Sequence, residues 1–217
     1  MSEAYKIVFE NGTDEIVEKK SRFIANVFAV ETEEEVLEII EKTKKKYWDA
    51  RHNCYAYVLG KNAEKQRCSD DGEPQGTAGR PMLDVILGQE VKNILVIVTR
   101  YFGGVLLGTG GLVRAYSQAT KAGIDASEIV TKKPARELHI YTDYNGAGKL
   151  QYIMATNEIT VLDTIYTDKV EMIALVPDAM YGTIENKVME ATSATAVLED
   201  AGEVWYGVLS DGSIHVF

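Results

Sequence analysis

Two runs of this 217-residue sequence hold residue types that bind anions or perform acid–base work. The first, Thr99–Arg114, reads T-R-Y-F-G-G-V-L-L-G-T-G-G-L-V-R. Its glycines, Gly103, Gly104, Gly108, Gly110 and Gly111, stand between an apolar run and a helical one. Glycine accepts positive φ without steric cost, and amides exposed at a helix N-terminus attract anions. Arg100 and Arg114 flank the turn and bring guanidinium groups suited to phosphate, with Tyr101, Phe102 and Thr109 between them. The spacing is not that of a nucleotide loop. Thr109 stands where a Walker sequence has lysine, and G-G-V-L-L-G departs from the dinucleotide fingerprint. The competing structural reading is close strand–helix packing alone.

The second run is the polar loop Cys68–Pro81, C-S-D-D-G-E-P-Q-G-T-A-G-R-P. Asp70, Asp71 and Glu73 are oxygen donors of the kind that hold Mg²⁺ or Ca²⁺, but their spacing is not that of an EF-hand. Turn and capping bonds, or pairing with Arg67 and Arg80, are the favoured roles. His52, Cys54 and Cys68 are too few for a structural zinc site and contain no C-x-x-C pair. His52 alternates onto the same strand face as Cys54, yet no orienting third group completes a nucleophile. No G-x-S-x-G or H-E-x-x-H is present, so no nucleophile, base and orienting group can be assembled from the sequence, and no metal or cofactor is expected.

Arginines interleaved with aromatics remain. Arg51, His52, Tyr55, Arg67, Arg80, Arg100, Arg114, Tyr101 and Phe102, with the glycines and Thr109, form the expected phosphate- or nucleic-acid-binding set. Lys44–Lys46 extends it.

The elements that must position these residues follow from periodicity. Tyr5–Phe9, Phe23–Val30 and Cys54–Leu59 read as strands, and Ile94–Thr99 as a central strand buried on both faces. Thr32 and Glu35 form a capping box for a helix that closes on Lys42–Lys46. Arg80–Leu87 and Leu112–Ala126 read as helices. A boundary is expected at T-K-K-P-A, giving domains 1–133 and 134–217. Beyond it the order is strand Leu138–Thr142, helix Gly148–Thr156, strands Ile159–Tyr166 and Val170–Val176, and helix Ala179–Thr192. Thr195–Leu198 with Val204–Leu209 close the set, a β-α-β-β-α-β ferredoxin-like order.

Net charge is −10, and it is unevenly distributed. Through Lys133 there are 19 basic and 20 acidic residues; from Pro134 onward there are 4 and 13. The second domain therefore repels nucleic acid and suits a protein partner, while the first is free to carry a basic face. No apolar run approaches the ~20 residues of a membrane span. Two cysteines make no disulfide framework, so a cytoplasmic setting without membrane contact is expected.

Four ordered motifs carry a resemblance. K-K-S-R-F-I-A at 19–25, H-N-C-Y-A-Y at 52–57, S-D-D-G-E-P-Q-G-T-A-G-R-P at 69–81 and V-T-R-Y-F-G-G-V-L-L-G-T-G-G-L-V-R-A-Y at 98–116 resemble the YigZ/IMPACT family. Gln75 departs from the serine of many relatives. The resemblance implies an α/β (α+β) protein. Its N-terminal domain would be of the ribosomal protein S-five domain-two type, as in elongation factor G, followed by a ferredoxin-like domain. Eukaryotic members regulate translation through a further N-terminal module, so only a general link to translation is implied here. The expectation is a translation-linked protein binding RNA or the ribosome through its first domain. The alternative is a small-molecule enzyme holding a phosphorylated ligand at the glycine-rich loop.

Overall fold

A computed structural model describes residues 3–217. These residues form two compact units, Tyr5–Thr131 and Lys132–Phe217. The first contains β1 (Tyr5–Glu10), β2 (Gly12–Glu18), β3 (Ser21–Ala29), α1 (Glu33–Lys46), β4 (His52–Leu59), β5 (Lys65–Ser69), α2 (Gly79–Gln89), β6 (Val91–Lys92), β7 (Ile94–Tyr101) and α3 (Thr109–Asp125). An antiparallel sheet in the order β2-β3-β7-β4-β5 organises it. The β-branched run of β7 lies at its centre, covered on both faces.

Side chains alternate along a strand, so β7 serves two cores. Leu95 and Ile97 meet Val36 and Ile40 of α1. Val96 and Val98 meet Met82 and Ile86 of α2 and Leu112, Ala115, Tyr116 and Ala119 of α3. Tyr116 packs edge-on against Phe23, ring centroids 5.2 Å apart. The capping box opens α1: Thr32 Oγ1 accepts the Glu35 amide at 3.2 Å, and Glu35 Oε2 accepts the Thr32 amide at 3.3 Å. Two strands, β2 and β5, carry no apolar alternation in the sequence. They are the sheet's edges and expose polar side chains on most positions, so no burial pattern marks them.

Strand β8 (Glu128–Thr142) begins in the first unit and runs into the second, which continues with α4 (Tyr144–Thr156), β9 (Thr160–Tyr166), β10 (Val170–Val176), α5 (Tyr181–Ala191), β11 (Val197–Val208) and β12 (Ile214–Val216). Strand neighbours run β9-β10-β8-β11, all antiparallel, which is the ferredoxin-like arrangement, and β12 extends it beyond β11. Leu138, Ile140, Met172 and Ala174 pack against Leu150, Met154, Ile184 and Val188 of the two helices. Two readings of local structure change. Thr131–Ala135, where the boundary is expected, is strand within β8, and the division between the units falls inside that strand, between Thr131 and Lys132. The two closing segments are one strand, β11, with a bulge between Asp200 and Gly202. No helix among the described residues is long and apolar enough to cross a membrane.

On the opposite face of this second sheet, His139 lies between carboxylates. Its Nδ1 is 2.7 Å from Glu171 Oε1 and its Nε2 is 3.0 Å from Glu137 Oε1. Hydrogen bonds to Glu171 and then to Glu137 raise the histidine pKa from 6.5. Both pairs are charge-assisted only with the ring protonated. Their stabilisation is complete below the ordinary histidine value and is lost as pH rises through the raised folded value. His139→Gln is therefore expected to lower the thermal midpoint at about pH 6, with the gap to wild type closing toward about pH 9. A gap that is constant with pH would remove histidine protonation as its cause.

Candidate nucleic-acid interface

Beneath the glycine-rich turn lies a buried polar network. Arg100, near the end of β7, points to the α2/α3 face, and its Nη1 donates to Glu73 Oε1 at 2.7 Å. The side chains are 8% and 3% exposed. Tyr116 Oη donates to the same carboxylate oxygen at 2.8 Å, and the Cys54 thiol lies 3.3 Å from Tyr116 Oη and 3.0 Å from the Asp70 carbonyl. Burial pushes the Cys54 thiol up to about 12, so it stays protonated at neutral pH and is no nucleophile. Burial likewise raises the Tyr116 pKa.

This geometry corrects the reading of Arg100. Its guanidinium is engaged by Glu73 and lies 5.5 Å from the Phe23 ring centroid and 5.7 Å from that of Phe102. Its Nε is buried without a partner among the described residues. Arg100 anchors the polar loop and presents nothing to a phosphate. Glu73, in turn, pairs with Arg100 and not with Arg67 or Arg80.

The other loop acids make turn and capping bonds. Asp70 Oδ1 accepts the amides of Ala78 and Gly79 at 3.0 and 2.8 Å, and Oδ2 accepts that of Gly76 at 2.8 Å. Asp70 thereby caps α2, whose N-cap residue, Ala78, has no side-chain acceptor. Burial pushes its pKa up, but the three amide bonds outweigh this and hold it below the usual carboxylate value. Asp71 accepts the Asn53 amide at 2.7 Å and Lys44 Nζ at 2.6 Å, and its carbonyl lies 3.0 Å from His52 Nδ1.

The surface above the network is different in kind. Phe102, Val105 and Leu106 are exposed on the loop between β7 and α3, Leu106 at 83%. Gly103 lies flat on the Lys19–Lys20 turn: a Cβ there would stand 2.0 Å from the Lys20 carbonyl carbon. Its amide donates to Ser21 Oγ at 3.1 Å. Lys19 and Lys20 both have positive φ, 46° and 66°, and form the tight link between β2 and β3. Lys19 and Arg114 line one cleft of about 90 Å³ with Glu18, Leu107, Gly111 and Gln118. Helix α3 opens at this cleft. Its N-cap, Gly108 (φ +74°), makes no side-chain cap, and no acid stands in the first turn of Thr109, Gly110 and Gly111. First-turn amides of a helix lack internal acceptors and carry a partial positive charge.

The structure gathers some expected residues and separates others. Phe102, Gly104, Gly108, Thr109, Gly110, Gly111 and Arg114 share the exposed loop and the start of α3. Tyr101 points to the α1 face, its Oη donating to Asp49 at 2.7 Å and Arg22 lying 5.6 Å from its ring centroid. Arg51 is exposed beside the start of β4. Arg67 stands apart on edge strand β5, with Nε 3.4 Å from Glu33. Arg80 pairs along α2 with Asp84 at 2.9 Å. Tyr55 packs against the α1 core, and His52 is held by the Asp71 carbonyl. Lys19 and Lys20 belong with the gathered group. Their signal in the sequence is the K-K pair at the β2–β3 turn.

The fold and this surface define a class of two-module α/β protein. Residues 19–124 match the Impact N-terminal domain, and residues 140–195 match a domain of unknown function, DUF1949. The chain belongs to the IMPACT family: it is 39% identical over 206 residues to "IMPACT family member YvyE" of Bacillus subtilis (strain 168), covering 95% of this chain and 94% of that protein. A solved structure described as "Crystal structure of an hypothetical protein" is 30% identical with a TM-score of 0.59, covering 91% of this chain and 97% of that one. The solved "two-domain translational regulator Yih1" is 27% identical with a TM-score of 0.36, over 55% of this chain and 48% of its own.

Removing one partner of a buried ion pair leaves the other charge uncompensated. Glu73→Gln is expected to destabilise the protein by about 3–5 kcal/mol in urea unfolding. Pairing Glu73→Leu with Arg100→Leu should recover much of the loss. A double variant no more stable than Glu73→Leu alone would contradict this role.

Proposed function

We propose that this protein is a translation-linked regulator that binds RNA through one end of its first unit. The single observation that carries the reading is a cluster of cations at an open helix start. Lys19 and Arg114, with Glu18, line the cleft at the uncapped first turn of α3, and Lys20 follows Lys19 in the adjoining turn. None of the three cations has an ion-pair partner among the described residues, and Phe102 is exposed on the loop that leads to the helix. Cations and free amides suit phosphate, and an exposed ring next to them suits a base. The translation setting is taken from what the resemblance to the YigZ/IMPACT family implies, and the chain belongs to that family. The ribosome is the natural source of such RNA. The acidic second unit, with 13 acidic and 4 basic residues from Pro134 onward, suits a protein partner.

A phosphorylated small molecule is the weaker reading. The cleft beside Arg114 is about 90 Å³. Pockets that enclose small ligands run to roughly 300 Å³ or more. A polymer phosphate lying across the surface needs no enclosure.

Three cations on a single strand give a log–log salt slope of about −2, at roughly −0.7 per phosphate. The expected outcome in fluorescence anisotropy is binding of single-stranded RNA that weakens with that slope. Lys19→Ala and Arg114→Ala should each flatten the slope by about 0.7. No binding at low salt, or binding indifferent to both substitutions, would overturn the reading.

A further inference from the structure

Among the described residues Trp48 is the most exposed large aromatic side chain, at 82%, ahead of Tyr152 at 71%. Tryptophan is highly buried on average in folded proteins, so a single ring left in solvent on an ordered turn needs an account. The turn is fixed at both ends. Tyr47 closes α1, with its amide bonded to the Thr43 carbonyl, and the Ala50 amide returns to the Tyr47 carbonyl at 3.0 Å. Asp49, the next residue after Trp48, is tied through its carboxylate to Tyr101 Oη at 2.7 Å. The ring is thus carried by a backbone that is held in place, which limits the backbone ordering that binding costs.

The charge around it has one sign. Lys42, Lys44, Lys45, Lys46 and Arg51 stand against the single acid Asp49 in residues 42–51, within a chain of net charge −10. Lys44 is engaged by Asp71, and Lys42 and Lys45 make exposed i,i+4 pairs with Glu38 and Glu41. Lys46 and Arg51 have no carboxylate partner among the described residues; Lys46 Nζ lies 4.9 Å from the Tyr47 ring centroid. Lysine is depleted in protein–protein interfaces, and four of the five cations around this tryptophan are lysines.

Its position relates it to the loop. Tyr101 joins the Trp48–Asp49 turn to Phe102, the next residue in the chain, and Arg22 lies over the Tyr101 ring. Trp48 is therefore at the same end of the first unit's sheet as the Lys19–Arg114 cleft, on the α1 side instead of the α3 side.

We infer that Trp48 is a base-stacking residue for single-stranded RNA, with Lys46 and Arg51 on its backbone phosphates. The strand would pass around the end of the sheet, from the start of α3 past Phe102 to Trp48. This assignment rests on the RNA-binding reading above and adds a second, separate platform to it.

The chain has two tryptophans, so Trp205→Phe leaves Trp48 as the sole indole reporter. The probe is a dye-labelled oligouridylate of about 15 nucleotides, within the range of single-strand site sizes. Anisotropy reads binding and tryptophan emission reads stacking in the same titration. The expected result is quenching of Trp48 that saturates together with binding. Trp48→Ala should weaken affinity by about tenfold or more with the salt slope unchanged, and Trp48→Phe should restore most of it. RNA binding with no emission change, and with Trp48→Ala equal to wild type, overturns the inference and leaves the RNA-binding reading standing. Absence of binding by every form at low salt overturns both. An emission change on adding a protein fraction, with none on adding RNA, reassigns Trp48 to a protein contact and also overturns the inference.

Discussion

The Arg100–Glu73 pair joins three parts of the first unit that are far apart in sequence. Arg100 comes from the central strand, Glu73 from the polar loop, and Tyr116, bonded to the same carboxylate oxygen, from α3. A charge taken out of water is costly unless its partner and its remaining hydrogen bonds are supplied. Here the two charges neutralise each other, and the Phe23 and Phe102 rings pack beside the guanidinium. The consequence is geometric. With the polar loop tied to β7 and α3, Asp70 caps α2, Asp71 holds the start of β4, and Phe102 rests above the network with its ring half in solvent.

That arrangement divides the arginines by role. Arg100 and Arg114 look equivalent in the sequence, as two cations flanking one glycine-rich turn. Alternation along β7 turns Arg100 inward, and its partner is 27 residues away in a loop whose path the sequence does not reveal. Arg114 instead lies on an exposed part of α3 and lines the cleft with Lys19. The distinction between a structural and a free cation is therefore not legible from residue type and spacing. It depends on a nonlocal pairing.

Other elements are legible for identifiable reasons. The apolar run 94–99 marks a strand covered on both faces, and Thr32 with Glu35 marks the start of α1; both are local signals. The β-α-β-β-α-β order of the second unit can be read because each element carries its own periodicity. Edge strands β2 and β5 cannot, since an edge buries little and so shows little pattern. The continuity of β8 is hidden by Pro134, a residue usually read as a breaker, although β8 carries it in a register that pairs it with Trp205. The K-K pair at 19–20 is visible in the sequence, but its place beside Arg114, nearly a hundred residues on, is not.

A charge-neutral interior thus supports a cationic and aromatic end of the first unit, the surface proposed for RNA. Hydrogen–deuterium exchange of the whole chain with and without single-stranded RNA tests that placement most directly. The account predicts slowed exchange at Lys19–Lys20 and across Phe102–Arg114, with the segments of Lys132–Phe217 unchanged. Protection confined to the second unit, or spread over both units without focus on that end, would contradict it.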